Sequence, residues 1–249
     1  MTTISFEDIV QQLNHDSSTH SPYCIGIVGA PASGKSTLAA LLKEQLQISQ
    51  PDITISTVPL DNFIHNNQYL RANDLMSKKG FPCSFNGEAG AEVIRTIHEN
   101  KQGLIKMPWY SHDIKDIHPH QQQTLSRSDV YIFEGVSLFY ELAQQQDQPF
   151  IFGDQMQSTI FLDTDESITK QRALARFFSA YEQAKCSVEP PLYFIPLLKM
   201  SREAIEAHAE DLWQSVDVPL IEAHIDPQRS QATYCVEDVP FVEQAVASS

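Results

Sequence analysis

The segment IGIVGAPASGKSTLAALL (residues 25–42) contains Gly29, Gly34, Lys35 and Ser36 in the spacing G-x-x-x-x-G-K-[ST]. Glycines at this spacing let the chain turn so that successive backbone N–H groups point at one anion. The lysine then reaches the β and γ oxygens of a polyphosphate, and the serine hydroxyl suits a Mg²⁺ ion. The segment therefore predicts a loop that binds the phosphates of a nucleotide.

The flanks of this loop predict a buried strand before it, at residues 23–28, and a helix that begins near Ser36. A helix N-terminus directs its positive dipole end at the same anion. The loop by itself is compatible with a kinase, a GTPase, a motor or a transporter subunit. The residues predicted to contact the nucleotide here are Gly29, Ala30, Pro31, Ala32, Ser33, Gly34, Lys35, Ser36 and Thr37.

The length and charge of the chain restrict its organisation and its partners. The 249 residues suit a single domain, with an N-terminal helix and linker at 1–20 and a core at 21–240. The formal net charge of −15 repels nucleic acid and anionic membranes, which argues against both as partners. The N-terminus lacks the basic and apolar regions of a signal peptide, so we expect a cytoplasmic protein, and a homodimer is left open.

Further along the chain, apolar strand patterns alternate with helical patterns. This alternation predicts an α/β fold in which helices cover both faces of a parallel sheet, as in P-loop NTP hydrolases, with a helical lid. Residues 66–87 are expected to be irregular, and residues 104–114 to be a short strand that runs into a polar loop. The glutamine runs at 121–123 and 144–146 are expected in solvated loops or at helix ends. Strands are predicted at 53–63, 129–139, 158–166 and 232–238, and helices at 4–13, 88–101 and 201–214, together with a long helix that follows residue 166 and contains Arg172 and Arg176.

Two acidic residues, Asp61 and Glu134, end predicted strands. Phosphoryl transfer needs a carboxylate that orients or deprotonates the attacking hydroxyl, and the carboxyl ends of parallel strands lie beside the phosphate loop. We therefore expect Asp61 to be the base and Glu134 to bind Mg²⁺ together with Ser36. The alternative for each acid is a helix cap or a solvated position.

Arg172 and Arg176 lie four residues apart on one predicted helix. They either close over the phosphates as part of a lid or belong to a solvated face with acidic partners, and the pattern leaves both readings open. The histidines at 112, 118 and 120 have no accompanying cysteine or second ligand set. A zinc site is therefore disfavoured.

The motifs together resemble the phosphoribulokinase/uridine kinase group of P-loop kinases, and within it most closely the bacterial type I pantothenate kinases. The resemblance covers residues 23–237 and implies an enzyme that uses ATP and Mg²⁺ to phosphorylate a hydroxyl of a small molecule. The resembling segments are GAPASGKST, VPLDNF, LMSKKGFP, PWYSHDIKDI, YIFEGVSLF, LYFIPLLKMSREAIEAHAEDLW and HIDPQRSQA.

The resemblance also implies roles for particular residues. Lys35 and Ser36 would hold phosphate and Mg²⁺, and Asp61 would be the base for the substrate hydroxyl. The remaining implied contacts are Tyr110 and His112 in the acceptor pocket, Arg176 at phosphate or substrate, and Arg229 near the adenine.

Four positions depart from the pattern of the resembling kinases. Ala40 replaces an arginine that binds the inhibitor coenzyme A, and Ala173 replaces a tyrosine of the acceptor pocket. Asp217 replaces an asparagine that binds the acceptor, and Asn62 replaces a glycine. The changes at 62, 173 and 217, in or near one pocket, weaken the case for pantothenate as the acceptor.

The sequence as a whole predicts an ATP- and Mg²⁺-dependent kinase whose leading acceptor is pantothenate. A nucleoside such as uridine, a sugar and glycerate are the alternative acceptors. A GTPase-type switch is disfavoured because the guanine-reading motif N-K-x-D is absent. A regulatory protein that binds nucleotide without turnover is disfavoured because Asp61 and Glu134 are both present.

Overall fold

In the computed structural model, which describes residues 1–99, 103–144, 148–191 and 193–237, eight strands form two sheets. In chain order they are β1 (Thr2–Thr3), β2 (Tyr23–Val28), β3 (Ile55–Pro59), β4 (Ile105–Ser111), β5 (Asp116–Leu125), β6 (Val130–Gly135), β7 (Ser158–Asp163) and β8 (Tyr234–Glu237). Six of them form a parallel sheet in the spatial order β1-β8-β7-β2-β6-β3, and β4 and β5 form an antiparallel hairpin.

The helices alternate with the strands of the main sheet. They are α1 (Phe6–Ser17), α2 (Lys35–Ser49), α3 (Asn67–Ala72), α4 (Gly87–His98), α5 (Glu166–Cys186), α6 (Arg202–Leu212) and α7 (Val218–Leu220). Two π-helical turns flank α7. Trp213–Asp217 joins it to α6, and Ile221–Ile225 follows it, so that α6 and α7 belong to one continuous helical segment. Among the described residues, no helix is long and apolar enough to cross a membrane.

The central strand β2 explains why helices cover both faces of the sheet. All six of its residues are buried, and successive side chains of a strand point to opposite faces. Cys24 and Val28 belong to the core that contains α4, whereas Tyr23, Ile25 and Ile27 belong to the core that contains α1 and α2. Burial of each such aliphatic side chain contributes about 1.5–3 kcal/mol. The predicted parallel sheet with helices on both faces is confirmed.

Two expectations about local structure were wrong. The segment 66–87 contains α3, which begins where the Asn66 side chain accepts a hydrogen bond from the Tyr69 N–H at 2.8 Å. The expected short strand and polar loop at 104–114 are present as β4 and the turn after it, but the glutamines at 121–123 lie within β5 rather than in a loop or at a helix end. Most residues of β5 are polar and exposed, so the sequence shows no alternating pattern there. The strand forms because it pairs with β4. Of the second glutamine run, residues 145 and 146 lie outside the described residues.

Candidate active site

The phosphate-binding loop connects β2 to α2 and is held in shape by its backbone. Ala32 and Gly34 adopt left-handed conformations, with φ of 60° and 106°, which turn neighbouring N–H groups to one side. Gly29 is required because a Cβ at this position would lie 2.7 Å from the carbonyl oxygen of Leu162. The N-cap of α2 is Gly34, which has no side chain that could cap the helix, so the first N–H groups suit an anion.

The interior of this loop contains a polar atom that suits a ligand. The hydroxyl of Ser33 is buried and has no hydrogen-bond partner in the part of the chain that the structure describes. The carbonyl of Ser33, by contrast, accepts bonds from Thr164 Oγ1 at 3.1 Å and from Arg172 Nη1 at 3.2 Å. Because buried polar groups are normally paired, an oxygen-rich group such as a polyphosphate fits this loop.

Lys35 is the buried cation of the site. Only 8% of the residue is exposed, and its Nζ donates a hydrogen bond to the carbonyl oxygen of Ala30 at 2.7 Å. Burial lowers the pKa of the Lys35 ammonium, and the carboxylates of Glu134 and Asp61 act in the opposite direction. The two predicted acids therefore lie within electrostatic reach of the loop lysine.

The sheet register brings these two acids together. Pro59 of β3 pairs with Glu134 of β6, and Asp61 follows two residues after Pro59. Ser36 Oγ donates a hydrogen bond to Glu134 Oε1 at 3.0 Å. Burial raises the pKa of Glu134, while Lys35 and the Ser36 hydroxyl lower it. A hydroxyl next to a carboxylate provides the hard oxygen ligands that Mg²⁺ prefers, so these residues fit that ion.

The two arginines of α5 lie next to the phosphate loop. Arg172 reaches the Ser33 carbonyl, and the positive charge of Arg176 contributes to the lowered pKa of Lys35. In the described ranges, neither arginine forms an ion pair with an acid of its own helix. Arg176 is exposed, so its side chain is accessible from the solvent side of the site.

The β4–β5 hairpin supplies the opposite wall. The rings of Tyr110 and His112 meet edge to face, with centroids 5.2 Å apart. Burial raises the pKa of the Tyr110 hydroxyl, and the negative charge of Asp61 raises it further. His112 lies within electrostatic reach of Glu134. The predicted base and the two predicted acceptor-contacting residues therefore converge on the carboxyl end of the sheet.

Sequence reasoning missed Lys79. Its Nζ donates to Asn67 Oδ1 at 2.8 Å and to the carbonyl oxygen of Lys115 at 2.5 Å, and lies 5.0 Å from the centroid of the Tyr110 ring. Burial lowers the pKa of Lys79, and the carboxylates of Asp116 and Asp61 raise it. The only signal was the segment LMSKKGFP, within residues expected to be irregular.

Arg229 lies at the other end of the phosphate loop. It forms an ion pair with Asp163, and its guanidinium carbon is 5.2 Å from the centroid of the Phe161 ring. A cavity of about 280 Å³ adjoins this pair and is lined by Ala30 of the loop together with Phe161 and Val218. A flat nucleotide base is compatible with a cavity that has an aromatic floor next to the phosphates.

Asp217 is not joined to the other predicted acceptor residues. It lies half-buried in the π-helical turn after α6, and burial raises its pKa to about 6. Among the described residues, no hydrogen bond or ion pair connects it to Asp61, Tyr110 or His112. His118 stacks on Trp109, and in the same described ranges no three His, Cys, Asp or Glu residues form a group that could hold a metal.

A comparison with protein families decides the family. The model described as "Phosphoribulokinase / Uridine kinase family" matches residues 24–180, which is more than half of the chain. The chain belongs to this family. It is also 33% identical over 211 residues to the pantothenate kinase of Streptococcus pyogenes serotype M12, a match that covers 85% of this chain and 67% of that protein.

Solved structures share the fold. A protein from Silicibacter sp. TM1040, described as a candidate fructose transport system kinase, matches with a TM-score of 0.66 at 18% identity, over 93% of this chain and 98% of that one. The D-glycerate 3-kinase of Cryptococcus neoformans matches with a TM-score of 0.50 at 14% identity, over 80% and 84% of the two chains. With the family established, the protein is an ATP-dependent kinase that phosphorylates a hydroxyl of a small molecule.

Proposed function

We propose that this kinase transfers the γ-phosphoryl group of Mg²⁺-bound ATP to a hydroxyl of pantothenate, or of a neutral polyol or nucleoside that competes with pantothenate. The observation that supports the proposal is the grouping of Lys35, Asp61 and Glu134 beside the phosphate loop, opposite Tyr110. Such a site has a cation for the phosphates, a base for the hydroxyl and a wall for the acceptor.

In this proposal each residue has a separate task. Asp61 accepts the proton of the attacking hydroxyl, and Lys35 with Arg176 stabilises the negative charge that develops on the transferred phosphoryl group. Ser36 and Glu134 would hold Mg²⁺, which would neutralise charge on the phosphate oxygens. The N–H groups of the loop and of the α2 N-terminus orient the polyphosphate, and Arg229 lies beside the adenine base of the nucleotide.

The choice of acceptor depends on two charges. Lys79 lies against Tyr110 and favours an acceptor that carries a carboxylate, as pantothenate does. Asp217 has a pKa of about 6 and is mostly ionised at neutral pH, so it repels a carboxylate and accepts hydrogen bonds from hydroxyl groups. The pantothenate kinase relative favours the first reading, and the substitution at 217 favours the second.

The test is ATP consumption against pantothenate, uridine, fructose and D-glycerate, each with and without Mg²⁺. We expect one acceptor to support turnover that requires Mg²⁺ and that is lost in the variant Lys35→Ala. ATP binding without turnover of any acceptor would instead support a non-catalytic nucleotide-binding protein.

We further propose a single kinase domain that works in the cytoplasm, without nucleic acid or membrane partners. The net charge of −15 supports this, because it repels phosphate backbones and anionic headgroups. Limited proteolysis tests the single domain, and analytical ultracentrifugation distinguishes a monomer from a homodimer.

A further inference from the structure

The side chain of Asn62 joins two parts of the acceptor site. Asn62 follows Asp61 directly and is only 2% exposed. Its Oδ1 accepts a hydrogen bond from the Tyr110 N–H at 2.8 Å, and its Nδ2 donates to Gln123 Oε1 at 2.6 Å. One carboxamide therefore contacts both strands of the hairpin.

The contact lies where the hairpin is irregular. Pro108 pairs with Gln122, but Tyr110 pairs with Ile117, so four residues of β5 oppose the single residue Trp109 of β4. A bulge of this size interrupts the ladder and leaves the direction of the strand after it weakly determined. The Tyr110 N–H lies at the end of this interruption, and it donates its hydrogen bond to Asn62.

We propose that Asn62 is the positioning residue of the acceptor site, fixing Tyr110 and His112 relative to Asp61. The inference rests on the proposed role of Asp61 as base. Tyr110 connects Asn62 to the other residues of this wall, because its ring contacts His112 and lies under Lys79. A shift of its backbone displaces the whole wall.

The chemistry of asparagine suits this task. It satisfies a buried donor and a buried acceptor at once, and it adds no charge next to Asp61. Of the three glutamines at 121–123, Gln123 is the one that Asn62 contacts, whereas Gln122 is exposed beside Pro108.

The kinetic test compares the variants Asn62→Ala and Gln123→Ala with the matched control Gln122→Ala. For whichever panel acceptor the wild type phosphorylates, Asn62→Ala should raise the acceptor KM by about tenfold or more, with the ATP KM changed by less than about threefold. Gln123→Ala should have a smaller effect in the same direction, and Gln122→Ala should match the wild type.

The variant Asn62→Asp separates positioning from folding. Its carboxylate still accepts from Tyr110, and Gln123 can rotate its amide to donate to it, so the acceptor KM should stay within about threefold of the wild type. The added charge repels that of Asp61, so the acid limb of the pH–rate profile should move to higher pH. An Asn62 that only fills space would not distinguish alanine from aspartate in this way, so the restored acceptor KM is the result that supports positioning.

Tryptophan fluorescence tests the same inference without any acceptor. Trp109 lies in the bulge and is 37% exposed, whereas Trp213, the second of the two tryptophans in the sequence, is 1% exposed. Acrylamide therefore reports mainly on Trp109. Stronger quenching in folded Asn62→Ala and Gln123→Ala, but not in Gln122→Ala, supports the inference.

The two proposals can fail separately. A wild type that phosphorylates no acceptor contradicts the proposed function, and the fluorescence comparison then decides the role of Asn62 alone. Unchanged quenching together with an unchanged acceptor KM overturns the inference. Equal rises in the KM of ATP and of acceptor, with a lowered Tm, also overturn it in favour of general fold support.

Discussion

The two sides of the candidate active site are built in different ways. The phosphate side, residues 29–37, is one contiguous loop whose geometry comes from backbone conformation, with left-handed Ala32 and Gly34. The proposed acceptor side consists of Asp61, Asn62 and Lys79 together with Tyr110, which come from three separate segments. Side-chain hydrogen bonds across 61 and 36 residues of sequence, from Asn62 to Gln123 and from Lys79 to Lys115, hold it together.

This difference has a chemical reason. Every ATP-dependent kinase of this kind binds the same polyphosphate of ATP, and a fixed array of backbone N–H groups recognises it. Acceptors differ in shape and charge, so the groups that contact them can vary while the loop stays the same.

The largest expected effect comes from the variant Asp61→Asn. Loss of the proposed base should reduce kcat by about 10²–10⁴-fold and leave ATP affinity nearly unchanged. Isothermal titration with an ATP analogue and steady-state kinetics measure the two quantities. The control is Asp52→Asn, at the exposed start of the segment that leads into β3. Comparable loss of ATP binding would show that Asp61 belongs to the phosphate side.

Lys35→Ala tests the phosphate side itself. Removal of one preorganised donor from a developing charge typically costs about 10²–10³-fold in kcat. Thermal unfolding checks that the variant folds, and Lys43→Ala, two turns further along α2, serves as the control. Activity within about threefold of the wild type, or roughly 0.7 kcal/mol, would remove Lys35 from the proposed machinery.

Asp217→Asn tests the acceptor side through both stability and selectivity. The pKa of Asp217 rises from 3.8 to about 6 on folding, so its ionisation opposes folding as the pH rises above 3.8. The asparagine variant should be stabilised by up to about 3 kcal/mol above pH 6, and the gain should shrink as the pH falls towards 3.8. Thermal melts at several pH values measure this gain.

The same variant should also change acceptor selectivity. With the negative charge removed, kcat/KM should move towards pantothenate and away from polyols. An unchanged ratio of the two kcat/KM values would place Asp217 outside the acceptor site, whatever its effect on stability.

The smallest effect is expected at Ala40, which is exposed on α2 and offers no cation to the phosphates of coenzyme A. We expect weak inhibition of the wild type, and Ala40→Arg should strengthen inhibition about tenfold, because a charge-assisted contact contributes on the order of 1.5–3 kcal/mol. Competition titrations against ATP measure this change. Micromolar inhibition of the wild type would show that another cation already performs the task.

The sequence was most informative where structure is local. The strand Tyr23–Val28, the loop after it and the start of α2 follow from an apolar run and a glycine spacing. It was least informative at β5, whose polar residues carry no alternation, and at Lys79, whose partners come from other segments. Pairing with β4 and burial against the hairpin created these features, and neither is encoded within a short window.

The amino-acid sequence by itself determined the parallel sheet, the phosphate loop and the two acids at the strand ends, because each depends on periodicity or spacing within about ten residues. Only the tertiary structure decided that Asn62 joins both strands of the hairpin and that Lys79 lies against Tyr110. It also decided that Ser36 reaches Glu134, across 98 residues of sequence. These contacts depend on which segments the sheet order and the hairpin bulge bring together, and side-chain hydrogen bonds between distant segments leave no periodic mark in the sequence.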